Sequence, residues 1–155
     1  MSTDPLPHLD CVRSATEGVF SSTCGLQLSA IECDPQRNQG PVMMAVISLV
    51  GDLEWSVLLA VPQDTATAVV TKFCGFDIPF ESADMSDAIG ELTNIFAGQV
   101  KACLDQKGVA VEISLPSVLR ADNLQVIAPS DGVNISLCYQ TDAGPLWTGV
   151  LAARQ

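Results

Sequence analysis

The 155-residue sequence predicts an α+β fold, an antiparallel sheet with long helices packed on it. Three features predict it. Strand-like runs flank turn signals at Gly51-Asp52 and at Ser130-Asp131-Gly132, which is how antiparallel strands are joined. The helical runs do not alternate with single strands, as a doubly wound sheet would require. The two halves also repeat one order: helix, glycine, alternating strand, loop, hairpin.

The elements follow in chain order. Over residues 5–24, Leu9, Val12, Thr16, Val19, Phe20 and Thr23 recur at spacings of three and four, so a helix is expected, stopped by Gly25. LQLSAIE then alternates like a half-buried strand, and CDPQRNQGP reads as a polar loop. VMMAVISLV and LEWSVLLAV form the first expected hairpin. Pro62 opens a helix over QDTATAVVTKFC, closed by Gly75. A longer helix is expected over about 84–107, ended by Gly108, followed by a strand at VAVEISLP. LQVIAP and VNISLCYQ form the second expected hairpin, and PLWTGVLAA the last strand. Gly25-Leu26-Gln27-Leu28 lines up with Gly108-Val109-Ala110-Val111, which suggests an internal duplication of a helix–strand–hairpin unit. Runs such as VISLV and SVLLAV are apolar on nearly every residue, so both faces of those strands should be covered, by helices or by another subunit.

The long helix carries the chemistry. At about 100° per residue, Met85, Ala88, Ile89, Leu92, Ile95, Phe96, Val100 and Cys103 fall within about 70° of one meridian. Asp87, Glu91, Asn94, Gly98 and Asp105 lie opposite. Glutamate is a good helix former and needs no special reason there. Asparagine costs about 0.6 kcal/mol relative to alanine in a helix interior, and Gly90 and Gly98 about 1 kcal/mol each. A helix that gives up this much on its exposed side is not optimised for stability alone. A missing side chain at Gly98 would let another surface approach the backbone. A carboxamide beside a carboxylate can orient water without acting as a strong base. The sequence shows no phosphate cradle, metal cluster or usable histidine, so the site is incomplete without a partner.

Composition narrows the partners. The net charge of −11 disfavours nucleic acid and anionic membrane. No apolar run reaches the roughly 18–20 residues that span a bilayer. The opening residues lack a basic region followed by an apolar one, so the chain is expected to be soluble and cytoplasmic. The six cysteines form no CxxC pair and the single histidine, His8, stands near one end, so no metal site is expected. The cysteines read as small buried hydrophobes rather than a disulfide framework. One domain over 1–155 is expected, with 1–8 flexible.

Asp87-x3-Glu91-x2-Asn94, continuing through IFAGQVK to ISLPSV, resembles the CheC/CheX/FliY family of chemotaxis phosphatases, and its CheX-like members most. VRSATEGVF and VISLVGDLEWSVLLAVPQDTA are similar to the family's first helix, hairpin and following helix. The resemblance implies a CheC-like fold and hydrolysis of the aspartyl phosphate on a CheY-like response regulator. It implies that Asn94 aligns the attacking water and that Glu91 pairs with the regulator's lysine. Asp87 and Gly98 would shape the docking face, and Pro116 would hold the neighbouring strand. No cofactor is implied for this chain; Mg²⁺ is expected in the partner receiver domain. A homodimer formed by joining sheets is implied, with Trp55 and Trp147 either in its interface or in the core. Two positions depart from the pattern. Glu17-Gly18-Val19-Phe20 in the first helix puts phenylalanine where asparagine would be needed, so one site per chain is expected, and Gln99 replaces a common asparagine. The alternative is a non-catalytic module that binds a receiver or dimerises.

Overall fold

The Gly51-Asp52 turn joins two strands, β2 (Pro41–Gly51) and β3 (Glu54–Pro62), in an unbroken antiparallel register from Val42↔Pro62 to Val50↔Glu54. A computed structural model describes residues 4–153 of the chain. Around this hairpin lie α1 (Leu9–Cys24), β1 (Ser29–Ile31), α2 (Gln63–Cys74), α3 (Ala83–Gln106), β4 (Val111–Ile113), β5 (Ser117–Asp122), β6 (Gly132–Thr141) and β7 (Gly144–Ala153). Among the described residues no helix is long and apolar enough to cross a membrane.

The strands form one antiparallel seven-stranded sheet, ordered β1-β6-β7-β3-β2-β4, with β5 also paired to β2. Strands β4 and β5 are one edge strand broken by a bulge. Leu49↔Ile113 and Val46↔Ser117 are partners, so Ile47 and Ser48 face Ser114, Leu115 and Pro116. Counting β4 and β5 as one, the order reads the same from either edge when the halves are exchanged. The single strand of each half crosses over to pair with the other half's hairpin, as an internal duplication predicts. The two unit helices end alike, since Gly25 and Gly108 are both left-handed at φ 65° and 77°.

The three helices pack on one face of the sheet over a core that includes Phe20, Met43, Ile47, Leu59, Ile89, Leu92 and Phe96. A second cluster, Val42, Met44, Leu58, Ala60, Cys138 and Trp147, lies on the far face. Cys33, Leu124 and Val126 from the connecting segments pack against it. The two-sided apolarity of β2 and β3 is therefore met by helices on one side and by loops on the other. Trp55 and Trp147 are both buried within the chain, one in each cluster.

Several expectations are corrected. LQVIAP is not a strand, and Ser130-Asp131-Gly132 is not a hairpin turn. Its alternation is real, because Leu124 and Val126 face the second cluster while Ile127 is exposed. The segment lies across the sheet face instead of pairing along an edge. The second hairpin is β6–β7, turned at Asp142-Ala143, with the Thr141 hydroxyl donating to the Gly144 carbonyl and accepting from the Ala143 amide. The first strand shrinks to Ser29–Ile31, an exposed edge rather than a half-buried strand. Helix α1 starts at Leu9 rather than 5. Of the segment expected to be flexible, residues 1–3 lie outside the described residues, while Asp4 pairs with Arg13 at 2.6 Å.

The cysteines also depart from expectation. Cys11–Cys103 and Cys33–Cys138 are disulfides, with Cα–Cα separations of 5.5 and 5.3 Å. The first ties α1 to α3, and the second ties the segment after β1 to β6. Long-range proximity of this kind leaves no mark in cysteine spacing. Cys24 and Cys74 remain free, and burial pushes the Cys24 thiol above its ordinary range, which makes it a poor nucleophile. Peptide mapping without reduction should recover both pairs. Reduction should then lower the urea midpoint, since closing loops of this length is worth up to about 4–5 kcal/mol each in the chain-entropy account. Recovery of six free thiols from natively purified protein would contradict the assignment.

Candidate functional site on helix α3

Helix α3 is placed by its caps and its buried stripe. The Ser82 hydroxyl accepts from the Met85 amide at 3.3 Å, satisfying a free donor of the first turn. Met85, Ile89, Leu92, Phe96, Val100 and Leu104 are at most 1% exposed. This fixes the rotation of the helix about its axis. Asp87 and Glu91 are then exposed, and Asn94 and Gly98 are half-buried on the same side. Glu91 and Asn94 are three residues apart, which makes them neighbours on a helix surface, with Cβ atoms about 5–6 Å apart. Neither side chain makes a hydrogen bond or ion pair among the described residues. The structure thus brings together all four residues singled out from the sequence and leaves their polar groups uncommitted.

Two glycines of α3 have different surroundings. A Cβ built on Gly98 would meet nothing within 4 Å, so packing inside the chain does not require glycine there. Gly90 is buried, contrary to its assignment to the exposed side. A Cβ there would lie 3.5 Å from Val118 Cγ2 and 3.8 Å from Pro116 Cγ. Pro116, in the bulge of the edge strand, therefore sits over the residue that precedes Glu91. Sequence reasoning missed this contact because the bulge is a feature of pairing with β2. The signal available was Pro116 itself, since proline is confined to strand edges and bulges.

The lower half of α3 is braced by α1. Lys107 donates to the Asp10 carboxylate, and this hydrogen bond is the main cause holding that carboxyl below its ordinary range. Cys103 is bonded to Cys11, and a Cβ on Gly18 would lie 3.2 Å from the Gln99 amide oxygen. Asp10, Cys11 and Cys103 place ligand atoms within 4.8 Å of one another, but both sulfurs are in the disulfide. When the helix ends at Gly25 and Gly108 are aligned, His8 and Cys11 fall opposite Glu91 and Asn94. Neither this register nor that of Glu17 and Phe20 supplies a second Glu-x-x-Asn, and Phe20 is buried in the core.

The chain is similar to known proteins over most of its length. The family model for the chemotaxis phosphatase CheX matches residues 43–138. A relative from Thermotoga maritima, the CheY-P phosphatase CheX, is 30% identical over 86 residues, covering 54% of this chain. The match spans only 55% of that relative, about half its length. The crystal structure of a CheX chemotaxis protein from Desulfovibrio desulfuricans is 25% identical, with a TM-score of 0.79 over 94% of this chain and 98% of that one. The CheX–CheY–BeF3–Mg²⁺ complex from Borrelia burgdorferi is 16% identical, with a TM-score of 0.72 over 96% and 98% of the two chains.

The open surroundings of Gly98 give a direct test of what that residue is for. Gly98→Ala should raise the unfolding free energy by about 0.5–1 kcal/mol, because alanine is the better helix former and nothing obstructs its methyl group. Urea denaturation reads this. A destabilised variant would show that glycine is retained for the fold.

Proposed function

This chain belongs to the CheX family of chemotaxis phosphatases, and from that premise we propose that it hydrolyses the aspartyl phosphate of a CheY-like response regulator. The observation that carries the proposal is the uncommitted Glu91–Asn94 pair on the solvent side of a helix whose opposite stripe, Met85 to Leu104, is buried. The receiver brings the phosphoryl group and its own Mg²⁺. This chain brings position. The Asn94 carboxamide accepts a hydrogen bond from water and has N–H donors to spare, so it holds the water in line with the phosphorus without removing its proton. Phosphoryl transfer asks little covalent work of the protein, so positioning is what this helix contributes. Glu91 forms a charge-assisted pair with the receiver's lysine and sets the register of docking. Asp87 extends the acidic docking face, and the bare backbone at Gly98 gives the receiver close approach.

The decay of a phosphorylated receiver tests this reading. Asn94→Ala should lose about 10²-fold or more of the acceleration while still binding, by comparison with other preorganised hydrogen-bonding groups. Glu91→Ala should weaken binding, and Gly98→Ala should do so despite its gain in stability. Binding that leaves the phosphate lifetime unchanged in the wild type would instead favour a non-catalytic receiver-binding module.

We also infer that the chain self-associates by joining sheets at the free edge of β5. Leu119 on that edge strand is 48% exposed, and Val50 on the neighbouring β2 is 53% exposed. Sedimentation should show a dimer that Leu119→Lys weakens; a monomer at all concentrations would contradict it.

A further inference from the structure

A second site lies on the face of the sheet away from α3. The segment after β1 and the segment after β5 enclose a polar cavity of about 240 Å³. Its wall includes Arg37, Asn38, Gln125, Asn134, Ser136 and Trp147, and among the described residues no Asp, Glu or Lys lines it. In a chain of net charge −11, a cavity lined by one cation and no anion is a local reversal of sign.

The wall is held in place from several directions. The Cys33–Cys138 disulfide anchors one end of the first segment. Trp147 Nε1 donates to Asn38 Oδ1 at 2.8 Å, and the Arg37 guanidinium stacks over the same ring at 5.0 Å from its centroid. The Gly40 amide donates to Asn123 Oδ1 at 3.0 Å, and the Asn123 and Leu124 amides donate back to the Gly40 and Asn38 carbonyls. Asn123 adopts a left-handed φ of 54° to do this. Asn134 donates to the Val126 carbonyl, which fixes the second segment to β6.

Arg37 is held but not saturated. Nη1 donates to the Asp34 carbonyl and Nη2 to Ser136 Oγ, each at 3.0 Å. A guanidinium has five N–H donors, so three are left over, and Nε–H is buried with no partner. Nε–H is closed off from solvent, so the N–H groups left over on Nη1 and Nη2 are what Arg37, which lines the cavity, offers a ligand. Gln125 is exposed and makes no hydrogen bond among the described residues.

We propose that this cavity binds a small monoanionic hydroxycarboxylate. One guanidinium matches one carboxylate, and the fork geometry favours that planar group. The surrounding amides and the Ser136 hydroxyl suit the hydroxyl groups of such a ligand. The Trp147 ring is already covered by Arg37, so no aromatic face is open for stacking. The volume lies below the ~300–1,000 Å³ of pockets that take drug-sized ligands, which limits the occupant to a few heavy atoms. The site is separate from the α3 face and does not rest on the phosphatase reading.

Calorimetric titration of the full chain with sodium glycerate tests the proposal, with glycerol and inorganic phosphate as comparisons. Glycerate should bind saturably at one per chain, with glycerol and phosphate each weaker by about tenfold or more. Arg37→Gln should abolish binding. Gln125→Ala, which removes an exposed and uncommitted side chain, should weaken binding severalfold with the fold intact, so a folding failure of the arginine variant leaves the test decisive. Absence of saturable glycerate binding, phosphate binding in preference to glycerate, or unchanged affinity in Gln125→Ala together with loss of structure in Arg37→Gln would each overturn the assignment. So would a dimer that covers the cavity and dissociates on the Arg37 substitution.

Discussion

Burial of one stripe of α3 is the constraint on which the rest depends. Six large side chains from Met85 to Leu104 are driven onto the sheet by removal of apolar surface from water. A helix has one rotational freedom about its axis, and this burial consumes it. Glu91 and Asn94 face outward because their neighbours at 89, 92 and 96 face inward. The polar pair itself adds little to stability, having no partner among the described residues. Its precision is borrowed from the core beneath it, which suits a group that must meet another protein's reacting atoms within a fraction of an ångström.

The exchange of single strands between the two halves strengthens that arrangement. Strand β1 pairs with β6, while β4 and β5 pair with β2, so neither half closes its sheet without the other. Helix α3 packs on β2, β4 and β5, and therefore spans both halves. The bulge at Ser114–Pro116 adds a local device: it bends the edge strand so that Pro116 and Val118 reach Gly90, one residue before Glu91. The Cys11–Cys103 bond and the Lys107–Asp10 pair secure the other end of the helix to α1. The site is thus fixed at both ends and free only on its outer face.

The parts legible in the sequence are those set by local chemistry. Helix α2 runs from Gln63 to Cys74, as Pro62 and Gly75 predict, and the β2–β3 hairpin turns where Gly51-Asp52 predicts. The face of α3 was readable because its apolar period is strong and because asparagine and glycine oppose helix propensity there. What was not legible depends on distant partners. Alternation in LQVIAP shows an extended segment but not whether it meets an edge or a face. Strand β5, SVLRAD, carries no apolar alternation because it is an edge strand paired on one side only. The disulfides join residues 92 and 105 positions apart, and Gly90 became a packing position only once Pro116 was brought over it.

The central claim is that the Asn94 carboxamide enters the phosphorylated pocket of a receiver. The side-chain amide resonances of Asn94 in ¹⁵N-labelled protein report on this directly, and Asn94→Asp assigns them by their disappearance. Addition of a receiver activated with beryllofluoride and Mg²⁺ should shift or broaden those resonances strongly, while the unactivated receiver should leave them nearly unchanged. If activated receiver binds and perturbs other surfaces while the Asn94 carboxamide keeps its free position, the account is wrong.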